Sequence, residues 1–465
     1  MSNPNDAGSA RRIPWLEKTS YGLADLGFNF YWANIATFLM IFYTDVFGIS
    51  AAAAGSMLFA IKIINAFTDP MIGAAADRTQ TRFGKFRPYL IWMALPLAAA
   101  GVLTYTTPDL DPRGKLIWAY ATYLLLMVCY TAINIPYNAL SGVMSSDPQE
   151  RSTINGLRFI FAFGGSMLVT ATTPFLVKFC GGGRERLGWP LTMAFWGVAA
   201  SVIFVIAFWN TRERIVPPPS QRTDVRDDIA DLTRNGPWIV LFVLALIIMI
   251  TITMRTAAAA YYFKYYVERP DLMAAFVPVY MGAAAAGASL TPLLTRFLDK
   301  KKLLMILMTT TGVLSILFYF VPKDQIGWMF TLQILIGLVL GPKSPLAWAM
   351  YADTADYNEW RTGRRATAMT FAAATFSQKL GTALAAAAMG WIFTALGYVA
   401  NAAQTVQSKA GIVWMMSIIP AMFAFVAAGV MIFYKLDRLQ MAQIQADLAQ
   451  RKAADPSAVG ARSSG

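Results

Sequence analysis

Apolar stretches of about twenty residues or more recur along this chain, and they constrain its fold more than any other feature. Twelve of them run at 21–47, 52–76, 88–106, 116–144, 154–177 and 189–209, then, after a polar stretch, at 238–266, 273–295, 303–321, 326–350, 367–397 and 411–434. A helix rises about 1.5 Å per residue, so each is long enough to cross a hydrocarbon core of about 30 Å. Only 14% of residues are charged, against about 25% in soluble domains. The expected fold class is an all-α membrane protein with twelve transmembrane helices in two six-helix halves.

The chain has no histidine and two cysteines, Cys129 and Cys180, both in or beside apolar segments. Histidine-based triads, zincin motifs, histidine proton relays and a disulfide framework are thereby excluded, and neither a cofactor nor a metal is expected. The first twenty residues are polar and basic, with no apolar run ending in a cleavage site, so the first apolar segment is expected to act as the insertion signal.

A net charge of +13 would suit a nucleic-acid binder, but its distribution speaks for topology. Loops after even-numbered segments hold 17 Lys and Arg, loops after odd-numbered segments 8, and Arg11, Arg12 and Lys18 join the richer set. The positive-inside rule then puts both termini in the cytoplasm, with the lipid bilayer rather than nucleic acid as partner. The expected organisation is a cytoplasmic N-terminal tail (1–20), a six-helix half (21–209), a cytoplasmic linker (210–236), a second six-helix half (237–436) and a cytoplasmic tail (437–465) expected to be disordered. The linker contains Pro217, Pro218 and Pro219 and five arginines. Val225, Ile229 and Leu232 within it suit one face of a short surface helix.

A weak repeat relates the halves. Segment 2 ends in Asp77-Arg78, followed by Arg82, Lys85 and Arg87, and segment 8 ends in Asp299-Lys300-Lys301-Lys302. Segment 4 leads into Asp147 and Arg151, segment 10 into Asp353, Asp356 and Arg361. Positive-inside charge alone generates part of this match.

A charge at mid-membrane costs roughly 2.5–3.5 kcal/mol on insertion scales, so each one calls for a partner, a wet cavity or a task. Lys62, Asn65 and Asp69 stand at i, i+3 and i+7 in segment 2, with Pro70 loosening the backbone beside Asp69. Thr131, Asn134 and Asn138 repeat that spacing in segment 4, and Asp25, Asn29 and Trp32 share a face of segment 1. Three such stripes point to a shared internal cavity. Interhelical hydrogen bonding produces the same pattern, and for Thr131 and Asn138 both readings stay open. Asp25, nearer the end of its segment, is equally read as a structural ion-pair partner. Further intramembrane cations are Arg158, Arg255, Lys343 (between Pro342 and Pro345) and Lys379, whereas Lys264 is close enough to a boundary to snorkel. Trp32 beside amides and a carboxylate is the surface a sugar needs, its C–H face stacking and its hydroxyls hydrogen-bonded; an interior Trp packed on neighbouring helices is the alternative.

From about Lys18 to Leu436 the chain resembles the glycoside–pentoside–hexuronide:cation symporters, the melibiose-permease-like branch of the major facilitator superfamily. The resemblance rests on Lys18–Gly22 (KTSYG), Tyr43–Val46 (YTDV), Asp69-Pro70, the loop DRTQTRFGKFRP at 77–88, YTAINIPY at 130–137, YYFKY at 261–265 and YADTADY at 351–357, all in order. It implies the major facilitator fold, a bacterial inner membrane location and alternating access. Carried over position by position, the cation site falls on Asn65, Asp69, Thr131 and Asn134, with Lys379 nearby and Lys62 on the same stripe. The sugar site falls on Asn29, Asn134, Asn138, Arg158 and Ser344, to which the residue reading adds Trp32, Arg255 and Lys343. Asp77, Arg82, Asp353 and Asp356 are expected to form a cytoplasmic gate.

This sequence departs from the melibiose-type pattern at Asn29, Asn65 and Asn134, where those members carry carboxylates; Asp69 alone is kept. Desolvating Na⁺ calls for several oxygens and more than one negative charge, whereas a lone buried carboxylate suffices to take a proton. The expected function is proton-coupled import of a sugar or glycoside (pentoside, hexoside or short oligosaccharide), by a protein that is not an enzyme. Alternatives are Na⁺ coupling, an anionic glycoside such as a uronide drawn by the excess of cations, an uncoupled facilitator, and a lipid transporter on the same fold.

Overall fold

A computed structural model describes residues 13–144, 148–214, 232–363 and 367–454. All twelve expected segments are helical in it, and the described residues contain no strand beyond an isolated bridge between Thr81 and Gly84. Among the described residues, ten helical stretches are long and apolar enough to cross a membrane. The chain resolves into two compact units. The first takes residues up to 214 with Thr256–Pro278 and Ala386–Ile412, and the second takes 232–255, 279–385 and 413–454.

In the first unit lie α1 (Trp15–Ile41), α2 (Ala51–Arg78), the pair α3 (Pro88–Trp92) and α4 (Ala94–Thr104), α5 (Pro112–Met144), α6 (Pro148–Gly181) and α7 (Glu185–Asn210). The break between α3 and α4 is covalent in origin, because Pro96 has no N–H to offer the Trp92 carbonyl. Along α1 runs α6. A Cβ on Gly165 would stand 3.0 Å from the Leu26 carbonyl and 3.1 Å from Asn29 Cβ, so glycine is what lets the two backbones approach. The unit also holds the ends of α8 (Gly236–Tyr261), α9 (Met273–Ser289) and α14 (Thr367–Ala395). Near one of these ends, Cβ atoms on Gly55 and Gly390 would lie 2.6 Å from the Ala386 carbonyl and 2.3 Å from the Ala51 carbonyl. The compact unit therefore includes the ends of second-half helices.

Ion pairs fasten the opposite end of this unit. Glu17 takes both Nη atoms of Arg214, at 2.6 and 2.7 Å, which holds that guanidinium above its ordinary pKa. Glu213 accepts from the backbone N–H groups of Lys85, Phe86 and Arg87 at 2.7–2.9 Å, and Lys18 pairs with Glu150 at 2.6 Å.

The second unit packs the start of α8, the remainder of α9 and the first part of α14 with α10 (Thr291–Phe297), α11 (Lys300–Tyr319), α12 (Ile326–Leu340), α13 (Lys343–Thr362), the last turn of α15 (Val406–Met416) and α16 (Ile418–Val430) around an apolar core including Leu241, Leu304, Ile336 and Met431. Here the tail departs from expectation. Residues 438–454 form a helix, α17 (Arg438–Ala454), rather than a disordered segment. Met441, Ile444 and Leu448, at i, i+3 and i+7, are buried in that core, Asp437 caps the helix through Gln440 N, and Asp447 accepts from Trp360 Nε1 at 2.9 Å. An apolar stripe in a polar stretch, easily passed over by mean composition, carries the difference. In the linker, Leu232 is buried, while Val225 and Ile229, the other residues of the expected surface helix, lie outside the described residues.

Candidate functional site

Two polar clusters form inside the first unit. In one, α1, α5 and α6 meet at Asp25. Its Oδ2 accepts from Arg158 Nε and, at 2.9 Å, from Tyr137 OH, which stacks on Tyr21 at 4.5 Å between centroids. The guanidinium of Arg158 lies 4.8 Å over the Tyr137 ring and donates through Nη2 to Asn138 Oδ1; Asn138 Nδ2 passes a 2.9 Å hydrogen bond to Asn134 Oδ1. Asn29 donates to the Asp25 carbonyl at 2.8 Å and accepts from Ser166 at 2.7 Å. The expected sugar-site residues Asn29, Asn134, Asn138 and Arg158 are thus brought together. Asp25 is an ion-pair partner. Ser166 was not legible beforehand; its only signal is the glycine preceding it, which sets α6 against α1.

In the other cluster Thr131 Oγ1 donates to Asn65 Oδ1 at 3.0 Å, joining α5 to α2, and Thr68 Oγ1 donates to the Asn65 carbonyl at 3.1 Å. Asp69, half-buried with Oδ1 shielded from solvent, follows one turn later on α2. Lys62, one turn before Asn65, places Nζ 5.0 Å from the Trp32 ring centroid, and that indole is 6.3 Å from Tyr130. The side chain of Pro70 lies outside the described residues.

The second-unit candidates separate in kind. Arg255 is 7% exposed and donates to the Met416 carbonyl at 2.6 Å and to Gln333 Oε1 at 2.8 Å, with Phe318 beneath it. Pro420 has no N–H to give that carbonyl, which is why the helix breaks between α15 and α16, and Arg255 fills the vacancy. The guanidinium expected to address substrate thus bridges α8, α12 and the break between α15 and α16. Lys343 is buried at the start of α13, Ser344 beside it is exposed, and Lys379 is half-buried on α14. Of the expected gate residues, Asp353 pairs with Lys300 at 2.7 Å within its own unit. Asp356 follows one turn on, half-buried, and Arg82 is exposed with its guanidinium 4.6 Å from the Phe83 ring. The side chain of Asp77 lies outside the described residues.

Lys264 does not snorkel. It turns inward to Asp45 at 2.6 Å, and the Asp45 side chain is 1% exposed.

An all-helical membrane chain that holds amides, acids and an arginine on adjoining faces of α1, α2, α5 and α6 has the build of a solute transporter of the major facilitator type. The chain belongs to the MFS/sugar transport protein family, whose match spans residues 20–438. It is 36% identical over 412 residues to the inner membrane symporter YicJ of Escherichia coli K12, covering 89% of this chain and 88% of that protein. It is 34% identical to the isoprimeverose transporter of Lactiplantibacillus pentosus, covering 95% and 92%. Among solved structures it is similar in fold to a D-xylose–proton symporter, with a TM-score of 0.64 at 14% identity over 90% of this chain and 97% of the other.

Proposed function

We propose that this protein imports a neutral sugar or glycoside with a proton, by alternating access, from a bacterial inner membrane with both termini cytoplasmic. The observation that carries the reading is the pair of adjoining clusters: Asn65–Thr131 beside Asp69, and Asn29, Asn134, Asn138 and Arg158 within one hydrogen-bonded set. The likeness to an inner membrane symporter and to an isoprimeverose transporter supports the location and the substrate class. Asp69 takes the proton, flanked by Asn65, Thr131 and Lys62. The amides and Arg158 address sugar hydroxyls, and Trp32 offers its face to the C–H side of the ring. Within the second unit Lys343, Ser344 and Lys379 are its own candidates for contact with substrate.

Substrate charge follows from pairing. Arg158 already bonds to Asp25 and Arg255 is committed to a carbonyl, so the excess of cations that would favour an anionic glycoside shrinks. At the cytoplasmic side, Asp77, Arg82, Asp353 and Asp356 stay the candidate gate residues, Asp353 being paired with Lys300.

The test is uptake into proteoliposomes under an imposed proton or sodium gradient, with a panel of xylosides, glucosides, galactosides and glucuronides, and a spin-labelled phospholipid as the lipid control. Accumulation of a neutral glycoside, driven by the proton gradient and lost in Asp69→Asn, is the expected result. Sodium-driven accumulation, or accumulation by Asp69→Asn, overturns proton coupling; uptake that only equilibrates points to a facilitator, and glucuronide preference to the anionic alternative.

A further inference from the structure

The first span of each half, α1 and α8, ends in the same unusual way. Both α-helices widen into a π turn, at Phe42–Phe47 and Tyr262–Tyr266, a rare form that is frequent at functional sites. One turn carries Asp45 and the other carries Lys264, and the two are paired at 2.6 Å. The Asp45 carboxylate also accepts from Tyr265 OH, Tyr398 OH and, at 2.7 Å, Thr44 Oγ1. From the turn after α14, Asn401 donates its side chain to the Asp45 carbonyl and its backbone N–H to Tyr265 OH at 2.9 Å, and it accepts from Lys264 at 2.9 Å. The conformation is specific, since Asn401 has a φ of +55°, a region asparagine tolerates better than most residues. One carboxylate therefore ties together α1, α8 and the turn at 397–405.

Apolar packing beside this knot is incomplete. Asp45 and Lys264 stand at the edge of a cavity of about 780 Å³ whose walls include Phe38, Phe42, Phe175 and Trp189. Hydrogen bonds to the carboxylate hold the ends together there, alongside ring contacts of 4.5–5.5 Å among Tyr261, Phe393 and Tyr398. That choice has a physical consequence. A buried ion pair is no more stabilising than a well-packed apolar contact, but its members regain hydration when they separate, whereas an apolar interface opened to water loses about 25 cal/mol per Å². A polar knot suits a contact that is made and broken in every cycle.

We propose that Asp45, with Lys264, Tyr265, Tyr398 and Asn401, is the outer latch: it closes the outward end of the transporter and must release for that end to open. The inference rests on the alternating-access reading above. Its test places a single cysteine, Ala258→Cys, on α8 in a background lacking Cys129 and Cys180; Ala258 is fully buried. Labelling by a membrane-impermeant maleimide from the outer side is then compared for the parent, Asp45→Asn, Lys264→Gln and the double variant. Asp45→Asn is expected to raise the labelling rate about tenfold or more, and the double variant to add little to it, because both substitutions undo one contact. If a charge variant does not fold, Tyr398→Phe removes one donor while keeping the ring, and a rise of severalfold is expected from it. Unchanged labelling in variants that elute as folded protein overturns the latch. Failure of the transport reading shows elsewhere, as a parent protein that accumulates none of the tested sugars.

Discussion

Removing the charge of Asp25 tests whether the α1–α5–α6 cluster is an organised site or incidental packing. Asp25→Asn keeps the side-chain volume but takes away the anion that receives Arg158 Nε and Tyr137 OH. Hydrogen bonds to charged groups contribute about 1.5–3 kcal/mol each, and breaking a fully buried pair from one side costs about 3–5 kcal/mol. Arg158 is 21% exposed and Asp25 12%, so water recovers part of that loss and the lower range applies, about 2–3 kcal/mol. At 1.4 kcal/mol per tenfold, the correctly posed Arg158 becomes about 30- to 150-fold rarer. Sugar affinity, measured by displacement from purified protein, is expected to fall by a similar factor, alongside a lower midpoint of thermal unfolding in detergent. Asp25→Asn combined with Arg158→Gln should be more stable than Asp25→Asn alone, because no cation is left stranded. Strictly additive losses in that double-mutant cycle would refute the pairing as the organising contact.

Arg255→Met should destabilise the protein by about 2 kcal/mol by stranding the Met416 carbonyl, and Pro420→Ala should recover much of this by restoring an intrahelical N–H; thermal unfolding of the two single variants and the double checks it. Ser166→Ala should cost about 1 kcal/mol and weaken sugar binding modestly, whereas Gly165→Leu, which forces α6 off α1, should abolish uptake in protein that still reaches the membrane. Accumulation should rise as external pH falls and collapse with a protonophore in the parent, and show neither response in Asp69→Asn. Leu448→Asp should release α17, read as faster proteolysis of the tail with the membrane-embedded part intact.

The spans were legible because bilayer thickness imposes a length and an apolar content on each of them, and both survive in one dimension. So were Asn65, Thr131, Asn134 and Asn138, since charge and amide groups are rare enough in hydrocarbon for their helical spacing to stand out. Mean composition concealed α17, whose three buried apolar residues are diluted by Gln and Asp. What only the folded chain decided is which polar groups are spent on one another. Arg255 looks like a free cation until the carbonyl orphaned by Pro420 is found against it. Likewise Lys264 looks like a snorkelling lysine until Asp45, 219 residues away, turns up beside it. Sequence fixes the period along one helix, but a hydrogen-bond partner is set by how two helices cross, and a few ångströms at a glycine contact such as Gly165 determine that.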